Sequence, residues 1–232
     1  MRESIKVAVL SDIHGNALAL KYAIDDLRKL GINKVIILGD VVLKGPMPTE
    51  SLEILQNSGL EILAWVKGNT DLWLEEVYGN ETRIDEEGQE KYLYYKYAME
   101  RLSEDQRKFL RDLPEQQVIK VNDFSILVVH GTPKSIVEAI DESVPKKDIE
   151  YAMEGVEEDV VLTGHSHTVF IGDYNGKRIF NVGSIGNPLD GDERLSYGIL
   201  DFIEGELILE NRRIAYPIDE VKNIVLEREF FF

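Results

Sequence analysis

The sequence contains no cysteine. Disulfide bonds, thiolate zinc sites, iron–sulfur clusters and cysteine nucleophiles are therefore excluded. Long apolar runs are lacking as well, because no stretch approaches the roughly 18 apolar residues of a membrane span. Residues 1–4 lack the apolar region and the small-residue cleavage site of a secretory leader. We therefore expect no membrane partner and a cytoplasmic location.

Positive charge is scarce in this chain. It has 26 Lys and Arg residues against 43 Asp and Glu residues, so the formal net charge is −17 over 232 residues. Nonspecific binding to nucleic acid depends on neutralising phosphates, and a chain this acidic repels bulk nucleic acid. Apolar residues make up 44% of the sequence, which excludes a disordered chain. The composition predicts a globular protein that does not bind bulk nucleic acid.

The first third of the chain alternates between strand and helix patterns. Short apolar runs predict strands at residues 5–10, 35–38 and 60–66. Apolar residues at helical spacing follow the first strand, and a second helix is predicted at about 49–57. This order favours parallel strands that are joined by right-handed crossovers.

Residues 70–114 differ in composition, because they are rich in Glu, Lys and Tyr and favour helices. Ser103 and Gln106 have the spacing of a capping box. Four tyrosines in residues 92–97 predict a helix that packs amphipathic rings on the sheet, with a base-stacking platform as the alternative. We interpret 70–114 as a mainly helical insertion in one domain spanning 1–232.

From residue 118 onward, strand patterns dominate. Asn175 and Gly176 between two of the predicted strands are typical of a hairpin turn. Short helices are predicted around 148–153 and at 218–226, and the three phenylalanines at 230–232 predict either a docked tail or a contact in a homodimer. The predicted strands are residues 118–121, 124–129, 160–162, 168–174, 178–181, 196–201 and 206–212.

The residues with chemical potential lie in loops that follow predicted strands. The chain has only four histidines, and each lies in such a loop that also contains a glycine. Two further loops of this kind, Gly39-Asp40 and Gly68-Asn69, carry an acid or an amide. Ligands bind at the carboxyl ends of strands in open α/β sheets, and glycines let other groups approach closely. The five loops offer enough imidazole and oxygen ligands for two metal ions, of types that suit Mn, Fe, Zn, Ni or Co.

The order of these motifs resembles the calcineurin-like metallophosphoesterases. The motifs are Asp12-x-His14, Gly39-Asp40, Gly68-Asn69, the strand-ending His130, and Gly164-His165-x-His167. The segments that resemble the small single-domain phosphodiesterase branch are residues 8–20, 38–50, 110–114 and 182–191. The resemblance implies an α/β fold, a four-layer α/β/β/α sandwich of two mixed sheets flanked by helices.

The resemblance also implies a dinuclear centre for two divalent transition-metal ions. One ion would take Asp12, His14 and His167. The other would take Asn69, His130 and His165, and Asp40 would bridge both with its two carboxylate oxygens. The implied reaction is hydrolysis of a small phosphodiester by water that the two ions activate, with Asp40 and Asn69 as catalytic residues. Asn69 would also orient the phosphate of the substrate.

Three residues beside these ligands have further predicted roles. Asn16 donates to a phosphate oxygen of the substrate or caps its helix. Thr70 stands where many family members have a histidine, and we predict that it contacts the substrate. Because a threonine hydroxyl does not titrate near neutral pH, it is a poor general acid, and good leaving groups are favoured. Asp71 is a catalytic candidate that would orient water; its alternatives are an exposed loop acid or a helix cap.

Other functions remain open at this point. Hydrolysis of phosphomonoesters or of dinucleoside polyphosphates is the main alternative. A non-catalytic binding scaffold of the same fold is a third possibility, which the full set of ligands disfavours.

Overall fold

The computed structural model describes residues 4–77 and 86–230, and this part of the chain contains ten strands and seven helices. The strands are β1 (Ile5–Leu10), β2 (Lys34–Ile37), β3 (Glu61–Trp65), β4 (Gln116–Val121), β5 (Phe124–Val129), β6 (Val160–Thr163), β7 (Val169–Tyr174), β8 (Lys177–Val182), β9 (Leu195–Ile203) and β10 (Glu206–Ile214). The helices are α1 (Ala17–Lys29), α2 (Pro48–Gln56), α3 (Asn69–Val77), α4 (Glu86–Met99), α5 (Glu104–Asp112), α6 (Lys146–Met153) and α7 (Ile218–Glu227).

The strands form two mixed five-stranded sheets. The first has the order β10-β9-β1-β2-β3, in which β1, β2 and β3 are parallel as predicted and β9 runs antiparallel to β1. The second has the order β4-β5-β6-β8-β7, with β5, β6 and β8 parallel between two antiparallel edges. Tyr174 pairs with Lys177 across the predicted hairpin.

Alternating side chains of the strands make the four layers. Val7 and Val9 of β1 pack between the sheets with Val128 and Phe180 of the second sheet. The opposite face of the first sheet packs on α1 and α2, while the outer face of the second packs on α6. Successive side chains of a strand point to opposite faces, so each strand serves two layers. The predicted α/β/β/α sandwich is confirmed.

Helices α3, α4 and α5 lie between β3 and β4, where helices were predicted. The capping box is confirmed, because Ser103 Oγ accepts from the Gln106 N–H and Gln106 Oε1 accepts from the Ser103 N–H. Tyr95 is buried in the apolar core, as the packing interpretation of the tyrosines expected. Residues 78–85 of the predicted insertion lie outside the described residues, and the single-domain interpretation stays a prediction.

The C-terminal segment lies against α4. The ring of Phe230 lies 5.5 Å from the Tyr94 ring and 4.8 Å from the Tyr97 ring, measured between centroids, as a docked tail predicts. Phe231 and Phe232 lie outside the described residues, and the homodimer stays a prediction. None of the helices in the described part of the chain has the length and hydropathy that a membrane span requires.

Candidate metal centre

The predicted ligands come together where five strands of both sheets end. The loops after β1, β2 and β3 belong to the first sheet, and those after β5 and β6 belong to the second. Face-to-face packing of the two sheets brings the five loops to one end of the sandwich. The side chains in these loops are Asp12, His14, Asp40, Asn69, His130, His165 and His167.

The backbone of these loops is strained. Five of the seven ligand residues have positive φ, namely Asp12, His14, Asp40, His165 and His167, with values between 48° and 68°. This conformation is unfavourable for residues other than glycine, so the surrounding structure must enforce it. Neighbouring loops approach one another closely, which helps to enforce this conformation. A Cβ on Gly68 would overlap the Asp40 carboxylate, and a Cβ on Gly164 would overlap Ser11 Oγ. Such strain is typical of functional sites.

Each of the four histidines is anchored through one ring nitrogen. That nitrogen donates to a backbone carbonyl, which fixes the tautomer and leaves the other nitrogen as an acceptor. Metal-ligating histidines are held in this way. The anchoring pairs are His14 Nδ1 with Leu43 O at 3.0 Å, His130 Nδ1 with Leu38 O at 2.7 Å, His165 Nε2 with Val137 O at 3.0 Å, and His167 Nδ1 with Asn187 O at 2.6 Å.

The first half of the centre consists of Asp12, His14 and His167. Asp12 Oδ1 lies 3.6 Å from His14 Nε2 and 3.2 Å from His167 Nε2, and the two Nε2 atoms are 2.9 Å apart. Asp12 Oδ1 is buried without a hydrogen-bond partner, whereas Oδ2 accepts from Ser11 Oγ and the His165 N–H. A buried acceptor oxygen beside two acceptor nitrogens is costly unless a cation is bound there. The first half therefore fits a metal ion.

The second half consists of Asn69, His130 and His165. Asn69 Oδ1 lies 3.0 Å from His130 Nε2 and 2.9 Å from His165 Nδ1. The amide oxygen is a metal ligand of the oxygen type, so this set offers two imidazoles and one oxygen. The geometry brings together the three side chains that the resemblance assigns to the second ion.

Asp40 lies between the two halves. Its Oδ2 is 3.7 Å from His14 Nε2 and 3.6 Å from His130 Nε2, so it faces one histidine of each half. Its Oδ1 instead accepts from the N–H and the hydroxyl of Thr70, at 3.0 Å and 2.8 Å. Oδ2 is therefore the Asp40 oxygen that faces both halves in this structure, and the bridging role of Asp40 stays a prediction. Asp12 is also shared, because ligand atoms of Asp12, Asp40 and His130 lie within 4.8 Å of one another.

A family model described as the calcineurin-like phosphoesterase superfamily domain matches residues 5–205, which include every one of these ligands. The chain belongs to the calcineurin-like phosphoesterase superfamily. Membership implies divalent metal ions, and the anchored histidines and the unpartnered Asp12 oxygen are consistent with that implication.

The similarity to other proteins covers nearly the whole chain. An uncharacterized protein of Methanocaldococcus jannaschii is 29% identical, covering 91% of this chain and 88% of that protein. The structure is similar to that of a hypothetical protein of Pyrococcus horikoshii OT3, with a TM-score of 0.83 and 24% identity over 97% of this chain and 94% of that chain. It is also similar to a metallophosphoesterase from Sphaerobacter thermophilus, with a TM-score of 0.77 and 22% identity over 98% of this chain and 95% of that chain.

The charged groups of this candidate centre shift one another's pKa values. Burial alone would raise the pKa of Asp12 and Asp40, but the neighbouring histidines hold both pKa values below the ordinary range. Burial lowers the pKa of His14 and of His165. At His130 burial acts in the same direction, yet the charges of Asp40 and Asp12 outweigh it and the pKa is raised.

Asp71 is buried behind Asp40 rather than exposed. Its carboxylate accepts from the backbone N–H groups of Asp40, Val41 and Gly68. Leu72 N donates to Gly68 O in the first turn of α3, so the bond from Gly68 N–H to Asp71 is the return bond of a helix cap. Burial, followed by the charge of Asp40, raises the pKa of Asp71 to about 7. The prediction of an exposed loop acid is wrong, because Asp71 is buried. The alternative prediction, a helix cap, matches the hydrogen bond from the Gly68 N–H to Asp71.

Asn16 and Thr70 have partners that leave little of either side chain for a substrate. Asn16 is the N-cap of α1: its Oδ1 accepts from the Ala19 N–H, while its NH₂ donates to Gly186 O and Tyr216 Oη at 3.2 Å each. The capping alternative is therefore the one present in the structure. Thr70 is buried and its hydroxyl donates to Asp40, so it positions the central carboxylate. A substrate contact of either residue stays a prediction.

Sequence reasoning missed several residues that support the ligands. Ser184 Oγ donates to Asp12 O at 2.7 Å and accepts from the Asn187 N–H. Asn181 is fully buried, and its NH₂ donates to Gly164 O and Ser166 Oγ in the loop that carries the last two histidines. The resemblance of residues 182–191 to the family pointed to the first, while Asn181 had no signal beyond its place at the end of a strand.

Proposed function

We propose that this protein hydrolyses small phosphodiesters with two divalent transition-metal ions at the centre described above. The observation that supports this most strongly is the fully buried, unpartnered Asp12 Oδ1 beside two histidine nitrogens fixed as acceptors. A centre that functions without a cation would leave all three acceptors unsatisfied. Asp12, His14 and His167 would hold one ion, Asn69, His130 and His165 the other, and Asp40 would face both.

In this proposal, the metal ions and the chain's own residues have different roles. Two divalent ions, when bound, supply Lewis-acid polarisation of a phosphoryl oxygen and lower the pKa of water. Thr70 holds Asp40 Oδ1 through two hydrogen bonds and so keeps Oδ2 aimed at His14 and His130. The carbonyl-anchored histidines keep their rings oriented without substrate, which lowers the reorganisation needed during the reaction.

The environment of Thr70 supports a preference for good leaving groups. Its hydroxyl does not titrate near neutral pH and is already donated to Asp40. Asp71, the other candidate proton donor, lies behind Asp40 and accepts from backbone N–H groups. A departing oxygen would therefore leave largely unprotonated, which suits an aryl oxide or a nucleotide phosphate far better than a simple alkoxide.

Charge supports diesters over monoesters and dinucleoside polyphosphates. Among the described residues, the basic side chains within 4.0 Å of the Asp12 and Asp40 carboxylates are all histidines, with no Lys or Arg among them. The whole chain has a formal net charge of −17. Two divalent ions would outweigh the charges of Asp12 and Asp40, so the loaded centre would attract any phosphate ester. A phosphodiester carries a single negative charge, and it does not need the additional cationic side chains that would bind the second charge of a monoester. A non-catalytic scaffold is disfavoured because no predicted ligand is missing from the centre.

The first test combines metal content with hydrolysis. The protein is stripped with a chelator, reloaded with Mn, Ni, Fe, Zn or Co in turn, and assayed on bis(para-nitrophenyl) phosphate and para-nitrophenyl phosphate. These two esters share a leaving group but differ in charge. We expect two metal ions per chain by elemental analysis and a diester kcat/KM that is higher by about tenfold or more.

The control variant is Asp25→Asn, which removes an exposed carboxylate that pairs with Arg28 on α1, outside the centre. It should retain both metal ions and full activity. Trace metal in the reloaded protein, or no hydrolysis of either ester with any of these ions, would contradict the proposed function. Faster turnover of the monoester would replace it with the monoesterase alternative.

A further inference from the structure

Two exposed apolar residues are hydrogen-bonded through their backbones to the last pair of histidines. Val137 is 46% exposed and Leu189 is 63% exposed, and both are large hydrophobic residues. Single exposed apolar residues are common on protein surfaces and need no explanation by themselves. These two differ because each is hydrogen-bonded through its backbone to a predicted metal ligand.

Those backbone contacts join each residue to one histidine of the segment. Val137 O accepts from His165 Nε2 at 3.0 Å, and Leu189 N donates to His167 O at 3.2 Å. His165 belongs to the second half of the centre and His167 to the first. The apolar rim, which we define as Val137 and Leu189, is therefore bonded through its backbone to one predicted ligand of each half.

The loop that carries Val137 is held in place before any substrate binds. Thr132 and Ser135 exchange backbone hydrogen bonds at 2.7 Å and 3.3 Å, and Val137 N donates to Ser135 Oγ. A rim on a rigid turn loses little conformational entropy when it contacts a ligand. The exposure of Val137 is thus a fixed property of the loop.

The loop that carries Leu189 is held by charge pairs. Arg213 bonds to the Asp190 carboxylate, and Arg194 forms a two-pronged contact with Asp192. These pairs neutralise the two acids nearest to Leu189 in the sequence, so an apolar group can approach Leu189 without burying the charge of either acid unpaired.

We infer that the apolar rim contacts an organic group of the substrate, so that the preferred substrates are phosphodiesters with an aromatic or other apolar ester group. This inference rests on the proposed function and names the substrate class of the same centre. Val137 and Leu189 are specificity-determining residues in this assignment, and they leave the reacting atoms to the metal ligands.

The test compares two phosphonates that differ only in the organic group. Phenylphosphonate and methylphosphonate are titrated calorimetrically into the Mn-loaded wild type and into a Val137→Ala/Leu189→Ala variant. We expect wild type to prefer the phenyl compound and the double variant to lose about fivefold or more of that preference, the change that about 40 Å² of lost apolar contact gives. The difference in acidity between the phosphonates cancels, because the ratio of affinities is compared between two proteins.

Ile171→Ala is the matched control, since Ile171 is 47% exposed on β7 and has no contact with the histidine segment among those described. It should leave the phenyl preference unchanged. An unchanged preference in the double variant, with diester hydrolysis intact, overturns the rim and leaves the proposed function standing. Absence of diester hydrolysis in the metal-loaded wild type overturns both. Equal loss of preference in the control would also overturn the rim, because the effect would not be local.

Discussion

The two halves of the metal centre are built from the same kinds of residue but differ in access to solvent. Asp12, His14 and His167 of the first half are at most 4% exposed. In the second half, His130 is fully buried while His165 is only half-buried. The first half also contains the unpartnered carboxylate oxygen, whereas the second half has a neutral amide in the equivalent place.

From this difference in exposure and in ligand charge, we infer that the two ions would have different roles. An enclosed half with a buried carboxylate favours tight retention of its cation, because charges interact strongly when water is excluded. A half that is open on one side and has a neutral oxygen ligand favours weaker retention and access for a substrate phosphate. We therefore expect the first half to bind metal more tightly and the second half to face the substrate.

The variant with the largest expected effect is Asp40→Asn, because it acts on both halves at once. It replaces the carboxylate oxygen that faces His14 and His130 with a neutral group. We expect kcat/KM for bis(para-nitrophenyl) phosphate to fall by about 100-fold or more, with fewer than two ions bound per chain. Near-normal turnover of Asp40→Asn would refute the shared position of Asp40.

Thr70→Val keeps the shape of the side chain but removes the hydroxyl that bonds Asp40 Oδ1. We expect its kcat/KM for the same diester to fall by about tenfold.

A matched pair of substitutions separates the halves. His167→Gln removes an enclosed imidazole, and His165→Gln removes the half-buried one. We expect His167→Gln to weaken the tighter of two metal affinities by about 10- to 100-fold and His165→Gln to weaken only the looser one. Competition titrations with a chromophoric chelator measure both affinities. If each variant lowers the same affinity, the two halves do not hold separate ions.

Much of this comparison was accessible from the sequence, and the rest depended on packing. Strand ends and glycine spacing pointed to the loops, since His14 and Asp40 lie directly beside glycines. The resemblance to the family assigned the seven candidate ligands within those loops, and their role as ligands stays a prediction. The burial of Asp71 was not predictable, because a carboxylate shortly after Gly68-Asn69 is equally compatible with an exposed loop acid and with a helix cap. Which Asp40 oxygen faces the centre depends on the Thr70 bonds across two loops. Likewise, the exposure of Val137 and Leu189 follows from tertiary contacts rather than from any local pattern.

Acidification should release metal from the two halves at different pH values. The charges of Asp40 and Asp12 raise the pKa of His130 in the second half despite its burial, whereas burial lowers the pKa of His14 in the first. A raised pKa means that His130 takes up a proton at a higher pH, so protons compete with the second ion first. We expect one ion to be lost on going from about pH 8 to about pH 6, with activity falling in parallel.

Excess metal provides the check on that result, because competition between protons and metal is reversible. Raising the Mn concentration at the lower pH should restore activity several-fold without changing KM for the diester. Acid inactivation that is indifferent to metal concentration, or simultaneous release of both ions, would show that the halves do not differ in this way.

The smallest effect is expected on stability, from Asp71 behind the shared carboxylate. Burial, followed by the charge of Asp40, raises the folded pKa of Asp71 to about 7, while the unfolded value is near 3.8. At pH values between these two pKa values, the metal-free folded protein binds a proton that the unfolded chain has lost. The contribution of Asp71 to the free energy of unfolding is therefore full at low pH and is lost as pH rises. Asp71→Asn removes this titration, and the unfolding free energy of wild type relative to the variant should fall by on the order of 3 kcal/mol from about pH 4 to pH 7. Asp26→Asn is the control, because hydrogen bonds from Tyr197 and Arg212 outweigh burial and lower the pKa of Asp26, so its contribution should be constant over the same range. Urea unfolding at several pH values measures both differences, and a flat difference for Asp71→Asn would mean that Asp71 is ionised in the folded protein throughout.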